Sequence, residues 1–208
     1  LKEFRSRALS PEHPVARGMA ENPDTFFTHR ESCNNYYDAV PAIVEDYMNK
    51  VSEITGRKYG LFSYYGAADA ERVIIAMGSV TEAIRETIDH LTAQGEKVGL
   101  VAVHLYRPFS AKHFLAAVPA TAKTIAVLDR TKEPGANGEP LYLDVKECFY
   151  GKENAPVIVG GRYGLGSNDT TPAQILAVYE NLALPEPKNQ FTLGIVDDVT
   201  FTSLPQKE

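Results

Sequence analysis

Residues 126–145 read AVLDRTKEPGANGEPLYLDV, and this stretch changes character twice. An apolar run that ends at Leu128 meets the charged residues DRTKE, and two glycines and two prolines follow before apolar residues resume at Leu141. A short apolar run is typical of a buried strand, and clustered glycine and proline predict a loop. The stretch therefore predicts a buried strand, a charged loop and then a helix.

The same alternation of strand and helix extends on both sides of this stretch. The strands are nearly continuous apolar runs, which is typical of parallel strands covered by helices on both faces. We therefore expect an α/β fold with three layers, α/β/α, around a mostly parallel sheet of about five strands. The strands are predicted at residues 72–77, 98–105, 124–128, 157–159 and 191–196, with helices from residue 80, from residue 110, at 141–149 and at 172–182.

Two of these helices carry start signals in the sequence. Ser79 and Glu82 have the spacing of a capping box, which predicts a helix from Val80. Thr171 followed by Pro172 predicts another start, because proline is favoured at the first helical position. Both helices are therefore expected to begin at a side-chain cap.

The first part of the chain has a different pattern. Residues 1–35 contain three prolines and no sustained period, which predicts an irregular segment that needs a neighbour to pack on. Residues 38–55 follow helical spacing and end before Gly56, a residue suited to a helix C-terminus. Residues 57–65 then form a linker or short strand that leads into the sheet.

Composition and charge limit the classes of partner. The formal net charge is −6, and no basic stripe is present, which argues against binding to nucleic acid or to an anionic membrane. Cys33 and Cys148 have no metal-binding or redox spacing, so we expect reduced thiols in a cytoplasmic protein. No apolar run approaches the roughly 18 residues that span a bilayer.

Several segments resemble the middle region of the pyruvate:ferredoxin (or flavodoxin) oxidoreductases. They are EHPVARGMAENPDTFF, AADAERVIIAMGS, GEKVGLVAVHLYRPFS, IAVLDRTKEPGANGEPLYLDV, GGRYGLGS and FTLGIVDDVTFTSLP. The most specific are LDRTKEPG and GEPLYLDV. The resemblance implies that residues 1–57 are the tail of the pyrimidine-side thiamine-diphosphate domain. It also implies that residues 58–208 form a domain II similar to the C-terminal domain of transketolases.

The resemblance also implies an activity for a larger enzyme. Members of this family decarboxylate pyruvate oxidatively with coenzyme A, giving acetyl-CoA and CO2 and reducing ferredoxin or flavodoxin. They use thiamine diphosphate with Mg and three [4Fe-4S] clusters, and the whole enzyme is expected to be a homodimer. The family's contacts to these groups lie in other stretches, so the resemblance implies no catalytic, cofactor-binding or metal-binding residue in this chain.

Two functions from different classes are therefore considered. The first is a non-catalytic scaffold and interdomain-docking region of a 2-oxoacid oxidoreductase. The second is a free-standing, doubly wound enzyme that binds nucleotides or transfers a group. One departure from the family pattern is that Ala102 and His104 occupy positions where basic residues are expected, which argues against an anion there.

The charged cluster, defined as Asp129, Arg130, Thr131, Lys132 and Glu133, has three interpretations. It is a solvated loop, a phosphate site that uses Arg130 and Lys132, or a contact with another domain. Alternating signs leave little net positive field, which disfavours phosphate capture. Complementary charges fix the register of docking surfaces, so we predict that the charged cluster docks against another domain.

The remaining polar motifs have simpler interpretations. The glycines that follow residue 159 match neither a P-loop nor a dinucleotide fingerprint, and they predict a tight loop between a strand and a helix rather than a phosphate cradle. The aspartate pair near the C-terminus predicts a solvated turn. Five scattered histidines do not indicate a metal site. The glycine motif consists of Gly160, Gly161, Gly164, Gly166 and Ser167, and the aspartate pair is Asp197 and Asp198.

Overall fold

The computed structural model describes residues 1–15, 18 and 20–206. The chain divides into two compact units, Leu1–Ala39 and Val40–Glu208. This division falls inside a long helix, Asn34–Thr55. The sequence instead places the domain boundary after that helix, at residue 57. The assignment of residues 1–57 and 58–208 to two domains stays a prediction.

The second unit contains a sheet of six strands in the described residues, in the order β1-β3-β2-β4-β5-β6. Strand β1 pairs antiparallel with β3, and the other neighbours pair in parallel. The mostly parallel α/β architecture is thereby confirmed. The strands are β1 (Phe62–Gly66), β2 (Arg72–Met77), β3 (Val98–Val103), β4 (Thr124–Asp129), β5 (Val157–Arg162) and β6 (Phe191–Thr192).

Helices cover both faces of this sheet. Successive side chains of a strand point to opposite faces, so each strand contributes to two cores. Ile74 belongs to the core on the side of α4 and α7, and Val73 and Ile75 belong to the core on the side of α5 and α6. The three-layer prediction is therefore confirmed. The helices are α1 (Lys2–Ser6), α2 (Pro23–Ser32), α3 (Asn34–Thr55), α4 (Val80–Ala93), α5 (Ala111–Ala117), α6 (Pro140–Phe149) and α7 (Pro172–Leu182).

The edges of the sheet differ most from the sequence-based expectation. The segment predicted as a linker or short strand forms β1, which aligns Phe62 with Val103. At the other edge β6 is only two residues long, whereas a strand was predicted to residue 196. Gly194 has a φ of +81°, a left-handed conformation that turns the chain out of the strand.

One of the two predicted helix caps is present. Thr171 accepts a hydrogen bond from the Gln174 amide at 3.4 Å, as predicted. Ser79 makes no side-chain cap, because its backbone is already helical and the geometry of a capping residue is extended. Instead, the Thr81 hydroxyl donates to the Gly78 carbonyl at 2.7 Å. Helix α4 still begins at Val80, as the pattern indicates.

The first unit is more helical than predicted. The irregular segment expected over residues 1–35 contains α1 and α2, and Pro23 lies in the first turn of α2. Proline fits this position because the first amides of a helix have no partner inside it. No residue of α2 is buried. Within the described residues, no helix has the length and apolar character needed to cross a membrane.

Gly161 provides a test of the packing between β5 and β6. A methyl group at this position would overlap the Phe191 ring and lie 3.0 Å from Leu128 Cδ2. We expect Gly161→Ala to reduce the free energy of unfolding by about 1–3 kcal/mol, because overpacking forces buried side chains off their rotamers. Urea denaturation measures the change.

Gly60→Ala is the matched control for this substitution. A methyl group at Gly60 would meet only the Phe62 carbonyl at 3.4 Å, and its φ is not in the left-handed region. We expect its free energy of unfolding to lie within about 0.5 kcal/mol of that of the wild-type chain. Equal stability of the two variants would contradict the packing described for β5 and β6.

Candidate functional site

The charged cluster lies where the order of the strands reverses. From β2 the chain passes to β3 on one side and then returns to β4 on the other side of β2. In open α/β sheets, ligands bind outside the carboxyl ends of the strands at such a point. A cavity of about 360 Å³ occurs here, lined among others by Gly78, Ser79, Arg130 and Thr131.

Asp129 differs from the rest of the cluster because its side chain is buried. Its two carboxylate oxygens accept the backbone amides of Leu141 and Tyr142 at 3.0 and 3.1 Å. These amides lie in the first turn of α6, so Asp129 binds the start of that helix to the end of β4. The sequence placed Asp129 among the docking charges, and the structure instead gives its carboxylate a partner inside the domain.

Burial raises the pKa of the Asp129 carboxyl above its ordinary value of 3.8. The two amide hydrogen bonds act in the opposite direction, and the negative charge of Glu139 raises the pKa further. A buried carboxylate costs free energy unless hydrogen bonds compensate for its lost hydration. The amides of α6 provide that compensation here.

Glu139 was not singled out by the sequence, and it is the second buried carboxylate of this edge. Its side chain is only 2% exposed and lies 3.6 Å from Lys132 Nζ and 3.5 Å from the Arg162 guanidinium. Arg162 also donates to the Gln190 carbonyl at 2.7 Å. Lys132 is therefore partly engaged within the domain. The only sequence signal is a glutamate just before the proline that starts α6.

Arg130, Lys132 and Glu133 are the exposed charges of the cluster. Arg130 Nε donates to the Gly164 carbonyl at 2.8 Å, and no described residue accepts a hydrogen bond from its two terminal nitrogens. The Glu133 carboxylate makes no hydrogen bond or ion pair with the described residues. Thr131 is half-buried between these charges.

The glycine-rich motif is divided between a strand and a turn. Gly160 and Gly161 belong to β5, and the turn begins at Gly164. Gly164, Gly166 and Ser167 have φ values of 64°, 65° and 63°, all left-handed. The predicted tight loop is therefore confirmed for the second half of the motif. A cavity of about 460 Å³ is lined by this turn and by Arg130, Thr131 and Lys132.

The remaining candidate groups have local roles. Asp198 accepts the amides of Thr200 and Ser203 at 3.1 and 2.6 Å, which confirms the predicted turn. His104 Nε2 lies 3.1 Å from the Ser63 hydroxyl. Among the described residues, no group of three or more His, Cys, Asp or Glu side chains is placed to hold a metal ion.

Residues 70–175, which include β2 to β5 and the charged cluster, match the model of the family "Pyruvate:ferredoxin oxidoreductase core domain II". The chain belongs to this family. This match agrees with the resemblance inferred from LDRTKEPG and GEPLYLDV.

Two curated relatives show the same affiliation. Pyruvate-flavodoxin oxidoreductase of Klebsiella pneumoniae is 62% identical over 205 residues, which cover 99% of this chain and 18% of the relative. Pyruvate:ferredoxin oxidoreductase of Moorella thermoacetica is 57% identical over 208 residues, which cover 100% of this chain and 18% of the relative. The chain thus spans about 18% of the length of these relatives.

Among solved structures, similarity is found to a 2-oxoglutarate:ferredoxin oxidoreductase from Magnetococcus marinus with 2-oxoglutarate, coenzyme A and succinyl-CoA bound. The TM-score is 0.45 at 20% sequence identity, over 81% of this chain and 27% of the other.

Substitution of Asp129 tests its role at the start of α6. Asp129→Ala leaves two buried amides without an acceptor, and we expect a loss of about 2–4 kcal/mol of stability from these two groups. Asp129→Asn keeps one acceptor oxygen, so an intermediate loss is expected. Chemical denaturation of the 208-residue chain measures both. A loss below about 0.5 kcal/mol in the alanine variant would contradict the capping role.

The pH dependence of the same variants is a separate test. Because folding raises the pKa of this carboxyl, the folded chain binds a proton here more readily than the unfolded chain. This group therefore contributes most to stability below pH 3.8, and its contribution falls as the pH rises through the raised pKa. We expect the advantage of wild type over Asp129→Asn to be smaller at pH about 7 than at pH about 4. An advantage that grows with pH would contradict this direction.

Proposed function

We propose that this chain is a non-catalytic scaffold and interdomain-docking region of an enzyme that decarboxylates pyruvate oxidatively with coenzyme A. The products are acetyl-CoA and CO2, and the electrons reduce ferredoxin or flavodoxin. The observation that carries the proposal is the family match, together with high identity to one part of relatives that carry these names.

The residues of this chain do not fit the iron-sulfur chemistry of the proposed enzyme. A [4Fe-4S] cluster is held by about four cysteine thiolates, and this chain has two cysteines. Cys33 and Cys148 belong to different units. We therefore assign the three [4Fe-4S] clusters to other parts of the enzyme. The family resemblance implies the same for thiamine diphosphate with Mg and for coenzyme A.

The proposal includes an assignment of residues 1–57 to the tail of the preceding thiamine-diphosphate domain. Helix α3 supports it, because its apolar stripe is exposed: Ile43, Tyr47 and Ile54 are 52%, 63% and 85% accessible. Exposed apolar stripes at helical spacing mark surfaces that pack against other elements. The partners in this proposal are the other domains of the same polypeptide, a second copy in a homodimer, and ferredoxin or flavodoxin. Unpaired cysteines support a cytoplasmic location.

The docking part of the proposal concerns the charges that the structure leaves at the surface. Asp129 is engaged with α6, and Lys132 shares the buried Glu139 with Arg162. Arg130, Thr131 and Glu133 remain available, and Glu133 has the least involvement in the domain. The alternative of a free-standing nucleotide-binding or transferase enzyme is less favoured, because the whole chain aligns with one part of much longer relatives.

The activity is tested with the full-length protein that contains these residues. We expect reduction of methyl viologen that depends on both pyruvate and coenzyme A, with slower turnover of 2-oxoglutarate. The 208-residue chain alone should show no turnover. Turnover by the isolated chain, or none with pyruvate in the full-length enzyme, would contradict the proposal.

Charge reversal at Glu133 tests docking separately from folding. We expect Glu133→Lys to lower the specific activity or the assembly of the full-length enzyme, because like charges across a boundary oppose docking. The isolated chain should keep its stability within about 0.5 kcal/mol, as for other exposed positions. Specific activity and melting temperature are compared for the same substitution.

Glu153→Lys is the matched control, since Glu153 is exposed in the loop before the amino-terminal end of β5, whereas the charged cluster follows the carboxyl end of β4. It should leave both the specific activity and the melting temperature unchanged. Full activity of the Glu133→Lys enzyme would indicate that this part of the cluster is a solvated loop and not a docking contact.

A further inference from the structure

The sequence argument against an anion site at the charged cluster was its alternation of signs. The structure separates those signs in space. Asp129 points into the domain and binds the amides of α6, and Glu133 does not line the cavity beside the cluster. Arg130 and Lys132 do line it, and no carboxylate does. Asp169 lies at an adjoining cavity instead.

The positive charge at this cavity is only partly compensated. Lys132 is 3.6 Å from Glu139, but Arg162 shares that single carboxylate from 3.5 Å. The terminal nitrogens of Arg130 have no acceptor among the described residues, and its Nε bond to Gly164 fixes the start of the guanidinium group. The charged side chains that line the cavity are two cations, Arg130 and Lys132. The charge of the cavity lining is therefore positive, although the chain as a whole is acidic.

The opposite wall of the cavity is formed by the turn at residues 164–167, with Leu165 as its one large side chain. Residues 164–167 form a turn in which Gly164, Gly166 and Ser167 are left-handed. Turns with left-handed residues form concave sets of amides that bind anions. At Gly166, nothing lies within 4 Å of the position that a methyl group would take. A ligand can therefore approach this backbone closely.

We propose that this cavity is a binding site for a phosphate group, held by Arg130 and Lys132 on one side and by the turn at residues 164–167 on the other. Guanidinium and ammonium groups form charge-assisted hydrogen bonds with phosphate oxygens, and Arg provides several donors in a fixed plane. At about 460 Å³ the cavity also has room for a group attached to the phosphate. The inference does not rest on the proposed enzyme activity.

Titration of inorganic phosphate into the 208-residue chain tests the site, with potassium chloride adjusted to hold the ionic strength constant. We expect saturable binding by calorimetry and saturable shifts of the Gly164 and Gly166 amide resonances. The double variant Arg130→Gln with Lys132→Gln should bind at least about tenfold more weakly, because it loses two charge-assisted contacts. A response no different from that to chloride, or equal binding by the double variant, would overturn the proposal.

Two further variants separate loss of the site from loss of the fold. Lys112→Gln with Lys152→Gln removes the same charge from exposed positions outside the cavity and should bind phosphate as wild type does. Ser167→Asp leaves the contacts of Arg130 and Lys132 in place and introduces a carboxylate on the turn side, and aspartate tolerates a left-handed backbone. It should weaken binding at least about tenfold. Unchanged binding by Ser167→Asp, or an equal loss in the Lys112 and Lys152 variant, would overturn the site.

The source of the phosphate is identified by comparing inorganic phosphate with glycerol phosphate and ADP. Tighter binding of an ester than of inorganic phosphate supports a site for the phosphate of a larger molecule. Equal affinity supports a site for the free ion. Absence of binding by all three probes would overturn the proposal.

Discussion

The carboxylate of Asp129 connects the end of β4 to the start of α6, and the geometry of the whole edge depends on that connection. Its two oxygens accept two successive amides that have no partner inside the helix. The intervening loop, residues 130–139, is therefore closed at its base by these two hydrogen bonds. Arg130 extends from this backbone, and its terminal nitrogens have no acceptor among the described residues.

The second buried carboxylate adds a different constraint. Glu139 lies almost fully out of water between Lys132 and Arg162, which come from the loop and from β5. Removing one partner of such a group costs more than the pair contributes, because the other charge is left desolvated. Loop, helix and strand are coupled through one side chain, while Arg130 and Glu133 stay outside this network. This separation explains how the edge can hold its shape and still present charges for binding.

Sequence reasoning predicted the strands of the sheet interior well, because β2 to β5 are apolar runs between clear turn residues. It was less accurate at elements whose character depends on neighbours. Pro23 was counted with residues of an irregular segment, although proline also starts helices, and it lies in the first turn of α2. The burial of Glu139 could not be seen in a segment that reads Gly-Glu-Pro. The spatial separation of positive and negative side chains in the charged cluster could not be predicted from the sequence either, because it depends on which side chains face α6.

Residues 200–204 return along the short edge strand β6. The Thr192 amide donates to Thr202, the Leu204 amide donates to Thr192, and Thr192 forms a bridge with Ser203. An open strand edge presents free amides and carbonyls that can recruit a strand from another molecule, which is a common start of aggregation. Here the chain covers its own edge with a short segment that forms a single isolated bridge to β6. The segment acts as protection against edge-to-edge association, and its removal would expose β6 to intermolecular pairing.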